Sequence, residues 1–221
     1  MKGVFVTGTD TGVGKTRVAL ELMAAASTRF ARVVGFKPIA SGARQTAQGL
    51  RNDDALALWS ASTVEVDYAE VNPYVFEAAI APHLAAARAG VSIELTHIAD
   101  VYDTIARRAD YVVVEGAGGW LVPLSASTDM ADVAATLHLP VVLVVAMRLG
   151  CLNHALLSVE AIAQRRQRFA GWIANCIEPD MPLLQHNIDT LKARIDAPLL
   201  GVLPHTASAD NAELPRALTL P

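Results

Sequence analysis

Gly8-Thr9-Asp10-Thr11-Gly12-Val13-Gly14-Lys15-Thr16 is the run whose residue types and spacing speak most directly of chemistry. It follows a short β-branched stretch, Val4-Phe5-Val6, and leads into a helical pattern from about Lys15 to Ser27. Glycines at a strand-to-helix turn let backbone N–H groups approach phosphate oxygens, and the helix N-terminus adds partial positive charge. In such a P-loop, Lys15 reaches the β- and γ-phosphates of a nucleotide and the Thr16 hydroxyl binds Mg²⁺. The spacing departs from the usual form. Thr9 stands where a glycine is expected and Gly8 comes one residue early, so the loop is one residue longer between its outer glycines. A dinucleotide fingerprint fits less well, because Arg17 takes the place of the third glycine and would obstruct close packing.

The ends of the other apolar runs carry further groups. Phe36-Lys37-Pro38 places a lysine where it can face the same rim. It reads either as a second cation on the γ-phosphate, useful where transfer depends on neutralising charge, or as a solvated lysine at a loop start. Asn52-Asp53-Asp54 opens a helix at Ala55, with one aspartate expected to cap it and the other free to bind metal. Val112-Val113-Val114-Glu115 ends an apolar run in a carboxylate, as the metal-side acid of a P-loop enzyme does, and Gly116-Ala117-Gly118-Gly119 leaves room for a ligand against backbone. Gly150-Cys151-Leu152-Asn153-His154 starts another helix, whose N-terminus can hold a carboxylate. Cys151 there reads as a small residue filling the turn. His83, His97, His138, His186 and His205 show no metal-ligand spacing.

Those groups need a frame. Val33–Phe36, Tyr111–Val114, Val141–Val145, Trp172–Ala174 and Leu199–Val202 join the first stretch as strands that are apolar throughout, which implies cover on both faces. Between them Leu152, Ala155, Leu156, Val159 and Ile162 recur at helical spacing, as do Leu184, Ile188, Leu191 and Ile195. The alternation gives an α/β fold: a mostly parallel, doubly wound sheet flanked by helices, with ligands at the carboxyl ends of its strands. The polar stretch from Ser41 to Asn52 reads as a long surface loop and the tail from Thr206 to Pro221 as irregular. The 221 residues, with no linker or repeat, are expected to form one domain spanning 1–221. With 52% hydrophobic and 18% charged residues the chain is not disordered, and a net charge of −4 argues against general nucleic-acid binding. Two cysteines make no disulfide framework, and no run reaches the ~18 apolar residues of a membrane span, so a cytoplasmic protein is expected.

Taken together these segments resemble the dethiobiotin synthetase family. The match includes the long P-loop, whose Thr-Asp-Thr insertion is that family's own spacing. It continues through Lys37-Pro38-Ile39-Ala40-Ser41-Gly42, Arg51-Asn52-Asp53-Asp54-Ala55-Leu56, Val71-Asn72-Pro73-Tyr74, Glu115-Gly116-Ala117-Gly118-Gly119, Gly150 to His154, and Gly171-Trp172-Ile173-Ala174-Asn175. Arg148 stands where the family often has lysine.

The resemblance implies a P-loop enzyme that uses ATP and Mg²⁺ to join CO₂ to 7,8-diaminononanoate, giving dethiobiotin, ADP and phosphate through a carbamate and a carbamic–phosphoric anhydride. It implies Lys37 and Lys15 as the catalytic cations, with Thr16, Asp54 and Glu115 around the metal. Thr11 and Ser41 would lie near the carbamate. Gly12, Val13, Gly14 and Arg17 would bind phosphates, beside Gly116, Ala117 and Gly118. Asn175, Cys176, Pro204, His205 and Thr206 would surround the adenine. Gly150, Cys151, Leu152 and Asn153 would bind the substrate carboxylate from a partner subunit, which implies a homodimer. The competing reading is a P-loop switch of the partition or division type, but Asp10 occupies the place where such proteins carry a lysine that acts across a dimer.

Overall fold

Six of the apolar runs form one parallel sheet in the computed structural model, which describes residues 3–205 and 218–221. In chain order the elements are β1 (Gly3–Gly8), α1 (Lys15–Ser27), β2 (Val33–Phe36), β3 (Ile39–Ser41), β4 (Arg44–Thr46), β5 (Gly49–Arg51), α2 (Asp53–Ala61), α3 (Tyr68–Val71), β6 (Tyr74–Phe76), α4 (Pro82–Ala89) and α5 (Leu95–Arg108). There follow β7 (Tyr111–Glu115), α6 (Met130–Thr136), β8 (Val141–Met147), α7 (Cys151–Gln164), β9 (Phe169–Cys176), α8 (Leu184–Arg194) and β10 (Leu199–Leu203). The main sheet runs β10-β9-β8-β1-β7-β2, with every neighbouring pair parallel.

Alternation along each strand splits the core in two. Val4 and Val6 of β1, Val113 of β7 and Val142 and Val144 of β8 turn to one face, where they pack against Val18, Leu22 and Met23 of α1 and Leu58 of α2. Phe5, Val112, Val114, Leu143 and Val145 turn to the other, against Ile98, Tyr102 and Ile105 of α5, Met130 and Val133 of α6, Ala155 and Ile162 of α7 and Leu191 of α8. Because both faces are covered, the strands have no polar side, and each fully buried Val or Leu stabilises the fold by ~1.5–3 kcal/mol. No helix among the described residues is long and apolar enough to cross a membrane.

Two local expectations are corrected. The stretch read as a long surface loop contains an antiparallel hairpin, β4 with β5, in which Gln45 pairs with Leu50. The helix α2 is capped by neither aspartate. Asn52 is the N-cap, and its side-chain oxygen accepts the Ala55 N–H at 3.2 Å. That leaves both aspartates in the first helical turn. Asp53 pairs with Arg44 at the surface, and Asp54 turns toward Lys37.

Candidate active site

All strands of the main sheet being parallel, their carboxyl ends lie on one edge. Gly8, Phe36, Glu115, Met147, Cys176 and Leu203 end there; the P-loop follows β1, Lys37 follows β2, Glu115 closes β7 and the Gly150 turn follows β8, whereas Asn52 to Asp54 follow β5 of the hairpin. The P-loop leaves β1 and enters α1 through Gly14, which holds φ at +88° as the helix N-cap. No side chain caps α1, and no acidic residue sits in its first turn, so its N-terminal N–H groups and positive end are available to an anion. Gly14 is required twice over. Its φ is left-handed, and a Cβ there would stand 2.1 Å from Asn175 Nδ2.

Lys15 opens α1 with its ammonium donating to the Asp10 carbonyl at 2.8 Å. Burial, then the nearby Lys37, lowers its pKa from the ordinary lysine value to about 8. Lys37 follows β2 and is 3% exposed. Its ammonium donates to Glu115 Oε1 at 2.6 Å and to Asp54 Oδ2 at 3.1 Å. Burial works against the charge on Lys37, but Glu115 and Asp54 outweigh it and hold the pKa above the ordinary value. Burial likewise pushes the Asp54 carboxyl upward, and Lys37 overrides it to leave Asp54 below the ordinary carboxylate value. The Thr16 hydroxyl donates to Glu115 Oε1 at 3.0 Å. Glu115 Oε2 is buried without a hydrogen-bond partner among the described residues. Two cations and two carboxylates from four segments thus meet in one cluster, and one carboxylate oxygen is left over.

A cleft of about 670 Å³ opens over this cluster. It gathers Thr11, Gly12, Gly14, Lys15 and Thr16 from the P-loop with Lys37, Ser41, Asp54, Glu115, Ala117 and Gly118. The Ser41 hydroxyl oxygen is buried and has no partner among the described residues. Ala40, Asn52, Val122 and the segment from Ala79 to Pro82 complete the walls, none of which the sequence reading assigned to the site. Asn52 belongs to the segment Arg51-Asn52-Asp53-Asp54-Ala55-Leu56. The wall formed by Ala79, Ile80, Ala81 and Pro82 is apolar and carries no chemical signature.

Other expected residues lie outside that cleft. Asn175, the last residue but one of β9, lies beneath the P-loop, where its Nδ2 donates to the Val13 carbonyl at 2.8 Å and its Oδ1 accepts from Arg17 at 3.0 Å. Its visible work is to fasten the P-loop to the next strand but one. Cys176 beside it is buried, and burial raises its thiol pKa. Pro204 and His205 follow β10 on the same edge, and Thr206 lies outside the described residues. Gly116 follows β7, with its N–H donating to the Val6 carbonyl at 2.9 Å. Gly150, at φ +93°, is the N-cap of α7 with no side-chain cap, and Cys151, Leu152 and Asn153 form the first turn. Cys151 is buried, whereas Leu149 beside the turn is 97% exposed. Arg148 joins this turn to the P-loop through an ion pair with Asp10 at 3.0 Å.

Comparison with known proteins gives the family. A family model described as an AAA domain matches residues 2–213. The chain is 52% identical over 220 residues to the ATP-dependent dethiobiotin synthetase BioD of Cellvibrio japonicus, covering 99% of this chain and 96% of the relative. It is 49% identical over 221 residues to the protein of the same name from Pseudomonas paraeruginosa, covering 100% and 97%. The chain belongs to the ATP-dependent dethiobiotin synthetase family. Among solved structures it is similar to the MinC:MinD cell division protein complex of Aquifex aeolicus, with a TM-score of 0.57 at 17% identity over 94% of this chain and 83% of that one. It is also similar to a ParA family ATPase from Chlorobium tepidum, with a TM-score of 0.55 at 16% identity over 93% and 84%. At such identity the likeness is one of fold, a P-loop α/β sheet flanked by helices.

Proposed function

We propose that the chain is an ATP-dependent ligase that makes dethiobiotin from 7,8-diaminononanoate, CO₂ and ATP, releasing ADP and phosphate. The observation that carries the reading is the buried cluster of Lys15, Lys37, Asp54 and Glu115 beneath an uncapped helix N-terminus, in a chain of this family. An amine of the substrate adds to CO₂ and loses a proton, giving a carbamate. A carbamate oxygen attacks the γ-phosphorus and ADP leaves, giving a carbamic–phosphoric anhydride. The neighbouring amine attacks the carbonyl carbon, phosphate leaves, and the ureido ring closes.

The chemical difficulty is that an anionic carbamate must meet an anionic phosphate. Two unit charges ~4 Å apart repel by about 4 kcal/mol at an effective dielectric near 20. Lys15 and Lys37 offset that repulsion from fixed positions, the first against the β- and γ-phosphates and the second at the junction with the carbamate. The backbone of Gly12, Val13, Gly14 and Thr16, with Arg17, holds the phosphates. The Ser41 hydroxyl, buried in the cleft wall without a partner among the described residues, is a donor available to a carbamate oxygen, and Thr11 lines the same cleft.

The donor set also fits a divalent cation such as Mg²⁺. Glu115 Oε2 is a buried oxygen lacking a partner, the Thr16 hydroxyl lies 3.0 Å from the same carboxylate, and Asp54 faces it across Lys37. Thr16, Asp54 and Glu115 would hold the ion, and when bound it supplies further positive charge against the β- and γ-phosphate oxygens. Adenine would lie beside Asn175, Cys176, Pro204 and His205. The substrate carboxylate would be received by the α7 N-terminus of a second subunit, so the working form is a homodimer.

The test is ADP release with diaminononanoate and bicarbonate, each omitted in turn. Release should require both. Comparable release without the diamine would favour an ATPase switch and overturn the reading.

A further inference from the structure

Lys37 and Asp54 approach each other from separate segments, and a buried strip of polar groups joins those segments without having a part in the chemistry. The Lys37 N–H donates to the Val71 carbonyl at 2.8 Å. In a parallel ladder the next bond would run to the Lys37 carbonyl from the N–H two residues past Val71. That residue is Pro73, which has no N–H. The Asn72 carboxamide fills the gap, with Nδ2 donating to the Lys37 carbonyl at 2.7 Å and to the Tyr74 carbonyl at 3.2 Å.

The other end of the same carboxamide reaches Asp54's helix. Asn72 Oδ1 accepts from the Tyr68 hydroxyl at 3.1 Å, and the Tyr68 oxygen accepts the Asn52 N–H at 2.8 Å. Asn52 is the N-cap of α2, whose first turn carries Asp54. Asn72, Tyr68 and Asn52 are all buried, at 2%, 6% and 8% exposed. Neither Asn72 nor Tyr68 lines the cleft. The run from the Lys37 carbonyl through Asn72, Tyr68 and Asn52 to α2 is therefore a continuous set of filled hydrogen bonds between the backbones that bear the two charges.

We propose that Asn72 is a positioning residue: acting through Tyr68 and Asn52, it fixes where the Lys37 ammonium sits relative to Asp54 while touching no reactant. The proposal rests on the reading of Lys37 as the charge that lets the two anions meet. A lysine side chain is long and flexible, so its ammonium is only as well placed as its backbone. Here the N–H and carbonyl of residue 37 are both held, the second by a side chain standing in for a donor that proline lacks.

The experiment is a double-mutant cycle in the full-length enzyme, with turnover, ADP affinity and thermal melting measured for each variant. Asn72→Ala removes the carboxamide, and Tyr68→Phe removes only the hydroxyl, so the milder variant carries the test if the first does not fold. Asn72→Ala should lower kcat ~10-fold or more, as small displacements of a catalytic group do, with ADP affinity within about twofold. Tyr68→Phe should shift kcat in the same direction by several-fold. In a Lys37→Gln background either change should lower kcat by less than about twofold, because there is no ammonium left to place. A general structural weakening would lower turnover by the same factor in both backgrounds, and that result overturns the proposal. So does unchanged kcat in Asn72→Ala and Tyr68→Phe when Lys37→Gln alone is severely impaired. Full turnover in Lys37→Gln would instead remove the reading of Lys37, and with it anything for Asn72 to position.

Discussion

Replacing Lys37 separates its two jobs, which the geometry makes unequal. Its ammonium is the partner of a carboxylate that is 1% exposed, at 2.6 Å. Lys37→Ala leaves Glu115 buried without its cation, a change that destabilises proteins by ~3–5 kcal/mol when one member of a buried pair is removed. Lys37→Gln keeps an N–H donor within reach of Glu115 Oε1 and should lose markedly less stability. For turnover the two variants should be alike. A charge about 4 Å from a developing anion is worth ~4 kcal/mol at an effective dielectric near 20, and at ~1.4 kcal/mol per tenfold in rate its loss lowers kcat by 10²-fold to 10³-fold. Nucleotide affinity should change little, because Lys15 and the α1 N-terminus remain. The assay is single-turnover ADP formation at saturating diamine and bicarbonate, with melting temperature and ADP affinity measured in parallel. Turnover within about threefold of the parent in Lys37→Gln, when folded and nucleotide-bound, would refute the electrostatic argument outright. A kcat that tracked melting temperature across the two variants would refute it equally.

Other consequences can be measured alongside. Lys15 has a pKa lowered to about 8, so nucleotide binding above pH 8 must bring a proton with it. Calorimetry in buffers of different ionisation enthalpy should show uptake at pH 9 that vanishes near pH 7, and affinity should weaken by up to about tenfold per pH unit above 8; pH-independent uptake would argue against this role. Gly14→Ala puts a Cβ 2.1 Å from Asn175 Nδ2 at a φ of +88°, so it should abolish measurable ATP binding and lower the melting temperature, whereas Gly90→Ala, which meets nothing within 4 Å, should leave ATP binding intact. Glu115→Gln preserves shape but halves the carboxylate character of the proposed cation site, so the Mg²⁺ concentration for half-maximal activity should rise ~10-fold or more; an unchanged requirement would place the ion elsewhere.

The sequence exposes the parts of this site that chemistry marks and hides those that topology makes. Strands buried on both faces read as unbroken apolar runs, and Lys37 and Glu115 are legible because a charged residue closing such a run is unusual, whereas Lys15 is legible from the glycine-rich turn that precedes its helix. The α2 cap was misassigned because Asn, Asp and Ser cap almost equally well, and only the backbone decides which of Asn52, Asp53 and Asp54 sits outside the first turn. The β4–β5 hairpin carries Arg44, Gln45, Thr46 and Arg51 and has no apolar face, so nothing in its pattern distinguishes it from a polar loop. Helix α5 does bear its signature, with Ile98, Tyr102 and Ile105 at helical spacing. Arg148 with Asp10, and Asn175 with Val13, are pairs far apart in the chain, made neighbours by a strand order that no local signal reveals.

Burial is the largest influence on both lysines, and the depressed pKa of Lys15 against the raised pKa of Lys37 reflects the different partners that act against it. Both lysines are buried, and burial disfavours both charges. Lys37 is repaid by two carboxylates, whereas the Lys15 ammonium donates to the Asp10 carbonyl and faces Lys37 as a like charge. In the folded protein without nucleotide, a protonated Lys15 is therefore held at a disadvantage. The unfolded chain keeps that proton until the ordinary lysine value, so between about pH 8 and that value the unfolded state binds more protons, and this group makes stability rise with pH. A triphosphate reverses the situation by supplying the missing counter-charge, and the relief it brings to Lys15 is part of the free energy of binding. Nucleotide should accordingly stabilise the enzyme most at neutral pH, where Lys15 is charged and has no carboxylate ion pair among the described residues. Replacing Lys15 by Met should raise the melting temperature of the nucleotide-free protein while removing its response to ATP. A Lys15→Met protein that melted below its parent without nucleotide would show that the lysine is already satisfied by its surroundings, and the argument from unequal partners would fail.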